Sequence, residues 1–480
     1  MNVFVVFLSF LLQTGNLSAA TYFVRTDGND LNSGTSDTDS GAWRTLAKSV
    51  SIAEPGDTVS IGVGTWAEII TTARHGTEGR PIVWSGAGVK TLFGGFAVEH
   101  NYIHLKNVHI GPVGTLAGSS TFGSAKNVNK LNPVGNYGLM ENVLFTRTTG
   151  QQSGCGPNRP LYTGPVGIIW RNCQFIGGGG NGGALYVQGV DCVVEGCTFT
   201  SSNGGDAVIL MGRRNVLKNN VWDKWIRPAG STQHSDCLQS FSNNDETSIG
   251  HIIENNLFID CANTQWGHVS DLKQLGKIAD WTVRNNVIIR MGAPFTSFVP
   301  DMKFYNNTFY ASSQQQSMII ILRTSTDRGR AARGRIFNNI FYKGGSNPQS
   351  PGHGFYAFVE NTGGGPLEDF QADNNLVIGE GAGTTKGGVW ARYGANVSSL
   401  NGVDPMFIKD GEPSRVEDLR VKPDSPVIGR GRDLSAMFTG DFNGAPRGGR
   451  WDIGAWQSGD SGTGGGKIRL RAPADFRVNK

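Results

Sequence analysis

One short unit recurs ten times between residues 106 and 377. It is a leading residue, usually polar, then Asn or a substitute, then a β-prone triplet. It reads Lys106-Asn107-Val108, Glu141-Asn142-Val143, Arg171-Asn172-Cys173, Glu195-Gly196-Cys197 and Lys218-Asn219-Asn220. It continues as Glu254-Asn255-Asn256, Arg284-Asn285-Asn286, Tyr305-Asn306-Asn307, Phe337-Asn338-Asn339 and Asp373-Asn374-Asn375. Neighbouring copies are 21 to 36 residues apart. A floor with variable excess describes a solenoid: the minimum is the bare coil of three short strands and three turns, and the excess is loop. Asn suits the turn because it tolerates the left-handed conformation and can bond local backbone. Stacked Asn side chains can also bond from coil to coil. Leucine-rich repeats need a Leu spacing that is absent, and propeller blades would be longer and more regular.

Between the Asn units lies a second set of β-prone segments: 184–188, 207–211, 237–241, 267–272, 318–322, 355–359 and 389–393. All are bounded by Gly, Ser or Asn, and they are expected to stack into one parallel sheet. The fold class expected is all-β, a parallel β-helix. Composition agrees: 69 of 480 residues are Gly, only 17% are charged, and 38% hydrophobics with 10% aromatics supply a core. A net charge of +4 gives no argument for nucleic acid.

Residues 1–20 read as a signal peptide, with an apolar run at 3–12 too short to span a bilayer and small residues at 17–20. Secretion or a periplasmic location is therefore expected. No later stretch is long and apolar enough to cross a membrane. The six Cys form no C-x-x-C pair, so a zinc site is not expected. Cys173 and Cys197 should share a register on adjacent coils, as a bridge or as two stacked thiols.

Three regions resemble the pectate-lyase-like β-helix superfamily. The first is Thr21-Tyr22-Phe23-Val24 with Gly28-Asn29-Asp30, Trp43-Arg44-Thr45-Leu46, Gly56-Asp57-Thr58-Val59 and Gly64-Thr65-Trp66-Ala67-Glu68. It is similar to the N-terminal cap and first coil of secreted polysaccharide lyases. The second is the Asn repeat. The third, similar to the closing segment of that family, is Val403-Asp404-Pro405-Met406-Phe407, Ser425-Pro426-Val427-Ile428 and Asp441-Phe442-Asn443-Gly444-Ala445-Pro446-Arg447, through Asp452-Ile453-Gly454-Ala455-Trp456. The resemblance implies a right-handed helix over 21–457, export, and a polysaccharide partner, in a superfamily that holds lyases, hydrolases, epimerases and binders. Residues 458–480 read as a Gly/Ser linker and tail, and a monomer is expected.

A ligand of such a solenoid lies along one sheet, walled by loops, so the long coils point to the site. The central candidates are His234, Asp236 and Gln239, which make one strand entrance unusually polar. Aligned coils put Asp206 beside Asp236, and His268 near the same row one coil on. Two stacked carboxylates repel, so one is protonated or both hold a cation; Asp206 and Asp236 are thus candidate Ca²⁺ ligands. For β-elimination on a uronate, His234 or Lys273 is the candidate base, and Arg213, Arg214 or Lys224 the carboxylate neutraliser. For hydrolysis, Asp206 and Asp236 are the pair. For epimerisation, His234 and a second group exchange the C5 proton; Gln233-His234-Ser235-Asp236 resembles the His-Asp motif of alginate epimerases. Trp222, Trp225, Arg227 and Trp266 are candidate sugar contacts. A non-catalytic glycan binder is the rival class. The bland alternative for each Asp is a turn cap through backbone N–H groups. Asp236 and Gln239 differ by three positions, so they share a face only if the chain bends before Cys237. His75, His100, His104, His109, His251 and His353 read as turn or surface residues. Arg328, Arg330, Arg333 and Arg335 read as a solvated basic loop.

Overall fold

The structure, a computed structural model, describes residues 18–459 except 117, 123–134, 148–150, 156–163, 179–181, 201–203, 232–234, 243–246, 262–263, 272–275, 312–317, 326–328, 344–355, 363–367 and 379–397. A 13-stranded parallel sheet, here sheet A, runs from Thr21–Val24 to Gln371–Asp373. A 23-stranded sheet folds into two limbs. The first limb follows each Asn unit, for example Gln174–Gly177, Thr198–Thr200, Val221–Asp223 and Leu257–Ile259. The second limb holds Gly183–Val187, Asp206–Leu210, Leu238–Ser242, Gln265–Asp271, Ala293–Ser297, Met318–Ser325 and Tyr356–Thr362. Neighbours in each stack pair in parallel, one coil to the next. Gly329–Arg330 is an exception, pairing antiparallel with Met318–Ser325. Six of the seven expected second-limb segments are there; Ala293–Ser297 was not foreseen, and 389–393 lies outside the described residues.

The corners explain the repeat. Asn107, Asn142, Asn172, Asn219, Asn255, Asn285, Asn306, Asn338 and Asn374 all have φ between 51° and 61°, and Gly196 takes the same role at 65°. Only Gly, and to a lesser degree Asn or Asp, adopts this region cheaply. The residue after the corner points into the core. It is Val108, Val143, Cys173 and Cys197 in the early coils and Asn220, Asn256, Asn286, Asn307, Asn339 and Asn375 in the later ones, all buried. Each buried Asn from 220 to 339 gives its backbone N–H to the Oδ1 of the next, at 2.9–3.0 Å. Its own Nδ2 reaches a backbone carbonyl of the preceding coil, such as Ile253 for Asn286 at 2.8 Å. These groups would otherwise be orphaned inside an apolar core. Cys173 and Cys197 do sit one coil apart, since Gln174 and Thr198 are in register, but all six cysteines are free, buried thiols. Phe145, Phe175, Phe199, Trp222 and Phe258 form a second internal ladder with ring spacings of 4.4–4.9 Å.

The three outer faces differ. On sheet A, charges alternate from coil to coil: Lys106, Glu141, Arg171, Glu195 and Lys218 are joined by contacts of 3.1–3.6 Å. The first limb is covered by the segment after residue 400. Phe407, Val416, Leu419, Val427, Phe442, Ile453 and Trp456 pack onto Val221, Leu257, Val287, Ile289, Tyr310, Ile340 and Leu376. Arg447, fully buried, ties that segment to the corner through Asn285 Oδ1 at 3.0 Å and the carbonyls of Gly454 and Ala455. Burial pulls its pKa down to about 10, opposed by Asp441 and Asp452. The second limb has no such cover among the described residues.

Candidate functional site

Strand alternation decides what the second limb shows. In Leu238–Ser242, Leu238, Ser240 and Ser242 are buried, while Gln239 and Phe241 face outward, partly exposed. Registers carry this along the axis: Tyr186, Ile209, Gln239, His268 and Thr296 form one outward row. Two residues further along each strand stand Gln188, Met211, Phe241, Ser270, Phe298 and Arg323, of which Met211, Ser270 and Phe298 are buried. Cys237 and Leu238 are both core residues, so the alternation breaks between them, but Asp236 is itself buried and does not share the outer face of Gln239. The break recurs at Ala207–Val208 on the preceding coil.

Asp206 and Asp236 fall at one register, as the aligned coils require. Asp206 Oδ1 accepts the backbone N–H of Asp236 at 2.9 Å, so Asp206 does act as an inter-coil cap. Both are deeply buried, at 5% and 0% exposure. A carboxylate that touches no solvent-facing surface is poorly placed to meet a sugar as acid or nucleophile. Among the described residues, no third Asp, Glu, His or Cys joins them to make a metal-holding group.

Gln265 sits at the register of Asp236 on the following coil. Its Oε1 lies 3.2 Å from His268 Nδ1, and its Nε2 donates to Thr296 Oγ1 at 3.3 Å. An amide oxygen only accepts, so Nδ1 is the donor in this contact. The His268 ring also lies 5.9 Å from that of Phe298. Tyr186 OH accepts the Gly183 N–H at 3.1 Å; burial first, and the nearby Asp206 charge with it, raise its pKa. Gln265 was missed in the sequence because its role depends on register, and nothing in Thr264-Gln265-Trp266 announces it.

The other sequence candidates are scattered. His234 and Lys273 lie outside the described residues. Trp222, Trp225 and Trp266, expected to stack on sugar, are core residues at 0%, 0% and 1% exposure, with Trp225 Nε1 bonded to Gly205 O. Arg213 and Arg214 lie past the far end of the Asp206–Leu210 strand, and Arg214 is held bidentate by Asp191 at 2.7–2.8 Å. Neither neutralises a charge at the strand entrance. Lys224 takes a corner with φ of 55° and is exposed beside Asp223, 4.0 Å away. Arg227 follows it, its N–H on Thr264 Oγ1, on the loop that leads to Asp236.

No protein-family model matches the sequence, and a search of curated proteins returns no match. Comparison with solved structures does. The crystal structure of pectate lyase Pel9A aligns over 92% of this chain and 97% of its own, with a TM-score of 0.50 at 14% identity. The fold is a right-handed parallel β-helix, as in that structure. Other β-helices aligned are a mannuronic acid specific polysaccharide family 6 lyase from human gut microbiota and the A-module of mannuronan C-5 epimerase AlgE4 from Azotobacter vinelandii. The first has 15% identity, covers 68% of this chain and 81% of its own, and has a TM-score of 0.42. The second has 13% identity, covers 72% and 88%, and has a TM-score of 0.44. At these identities the likeness concerns the fold alone.

Proposed function

We propose that this β-helix is an exported enzyme that binds a uronate-containing polysaccharide along its second limb and cleaves it by β-elimination. The observation that carries this is the oriented His268. Among the described residues it faces outward on a face that neither a charge ladder nor the closing segment occupies, and Gln265 accepts its Nδ1–H. His268 Nε2 takes the proton from C5 of a uronate. The electron pair of that C–H bond becomes the C4=C5 double bond, the C4–O bond breaks, and the departing sugar oxygen is protonated from solvent. Gln239 and Tyr186 line the same row and bind hydroxyl groups. Hydrolysis by Asp206 and Asp236 is the weaker reading, because both carboxyl groups are buried and one already holds a backbone N–H.

The test is ultraviolet absorbance of the conjugated product during incubation with pectate, alginate and glycosaminoglycans, with Ca²⁺ and with chelator, beside a reducing-end assay. Rising absorbance that disappears in His268→Ala supports elimination at His268. Reducing ends without absorbance refute it in favour of hydrolysis. Silence in both assays, with retained glycan binding, favours a binder. Export through residues 1–20 is read from the mature N-terminus of protein recovered outside the cytoplasm; an intact Met1 in that fraction refutes it.

A further inference from the structure

This inference rests on the reading that the second limb binds glycan. The basic side chains at the corners of the helix are paired across coils: Arg214 with Asp191, Arg290 with Asp260, Lys303 with Asp280, Arg333 with Asp301 and Arg335 with Asp369. The run at 330–335 is thus partly an ion-pair ladder rather than a free basic loop. Arg323 departs from this pattern. It follows the core residue Leu322, so it projects from the outer face. No carboxylate pairs with it among the described residues, and its Nε is buried with no acceptor. It is the one permanent cation among the described residues of the rows that begin at Tyr186 and Gln188. Its guanidinium carbon lies 5.8 Å from the centre of the Phe298 ring, whose centre is 5.9 Å from that of His268. His268, Phe298 and Arg323 occupy three consecutive coils, and the outer two stand two coil spacings apart, about 10 Å.

A half-buried guanidinium is a ready partner for a planar anion, which its two terminal NH₂ groups can take with two parallel N–H bonds. We propose that Arg323 is the carboxylate-binding residue of the glycan face. It holds the acid group of a sugar neighbouring the one at His268, and it restricts the bound polymer to polyuronates. At that distance Arg323 does not touch the reacting carbon. It is a specificity residue, and its loss should appear in KM and in binding rather than in kcat.

The experiment is affinity electrophoresis of the full chain through gels containing polygalacturonate, alginate, or neutral galactan and xylan, with wild type, Arg323→Gln and Arg323→Lys. Thermal melting of each variant runs alongside. The expected result is retardation of wild type by an acidic polymer alone and at least tenfold weaker binding in Arg323→Gln. Arg323→Lys, which keeps the charge without the fork, should fall between. The wild-type dissociation constant should also rise more steeply with salt than that of Arg323→Gln. Wild-type binding to acidic polymer with equal binding by a folded Arg323→Gln overturns the role of Arg323 and leaves the glycan reading standing. Equal retardation by neutral polymers overturns it as well. If Arg323→Gln fails to fold, Arg323→Lys decides: wild-type affinity and salt dependence in it overturn the bidentate contact. Wild type retarded by no polymer overturns both readings.

Discussion

At the scale of single residues, register gives a side chain its chemistry here. Gln265 should be a positioning residue for His268. Gln265→Leu is expected to lower kcat about tenfold, less than the ~100-fold or more expected for loss of a general base. It should also shift the acid limb of the pH–rate profile, because Nδ1–H loses its acceptor; an unchanged profile would refute the contact. A second histidine, His251, gives a stability prediction. Its Nδ1 accepts the Asn215 N–H at 3.1 Å, and its Nε2 lies 2.9 Å from Ser248 Oγ. Fully buried rather than superficial, it is pushed by desolvation down to a pKa of about 3. The folded chain therefore keeps it neutral, while the unfolded chain titrates it at its ordinary value. Its contribution is whole above that ordinary value and is lost as pH falls toward about 3, at up to about 1.4 kcal/mol per pH unit. Melting temperatures measured between pH 7 and pH 4 should fall for wild type and fall less for His251→Gln. The sequence could not separate this His from the less buried ones, because its burial arises from the stacking of Ser248–Ile249 between Gly212–Arg213 and Ile278–Ala279.

At the scale of the element, the Asn unit was legible for a physical reason. A left-handed corner admits few residues, so the constraint leaves a mark at every coil, including the Gly at 196 that replaces Asn. The second limb was harder to delimit. Ala293–Ser297 was overlooked, although it pairs with Gln265–Asp271 on one side and Met318–Ser325 on the other. Its Pro294 argues locally against a strand, and neighbouring strands outvote that preference. The buried ladder gives the matching test. In Asn286→Ala, the backbone N–H of Asn256 loses Oδ1 of residue 286, and the carbonyl of Ile253 loses its donor. Each orphaned buried group costs about 1–3 kcal/mol. Denaturant unfolding should show a loss of roughly 2–5 kcal/mol. Asn374→Ala, at a half-buried corner near the end of the ladder, should cost much less. Equal effects would mean that corner conformation, and not the internal hydrogen-bond chain, dominates.

At the scale of the whole molecule, a parallel solenoid offers three faces. What the chain does with each decides where a ligand can lie. The segment after residue 400 was recognised as a closing element, but its position was not. It runs back along the Asn corner and seals the first limb, because Val287, Ile289 and Tyr310 otherwise present an apolar strip to water. Each such side chain contributes on the order of 1.5–3 kcal/mol when buried. Its hydrogen bonds are long-range: Asn306 Nδ2 to the carbonyls of Asp452 and Gly454, Asn338 Nδ2 to Arg432 O, and Arg290 Nη1 to Pro413 O. Removing residues 404–459 should therefore leave coils that fold but expose a strip large enough to drive association. Light scattering is expected to report oligomers or aggregate. Substituting Val287, Ile289 and Leu257 by Thr in the truncated chain should restore solubility. The second limb is untouched by that deletion. If the glycan face is self-sufficient, the solubilised truncation keeps polymer binding within a few-fold of the full chain. If binding disappears while the coils remain folded by circular dichroism, the closing segment has a part in the site that its contacts with the first limb alone do not explain.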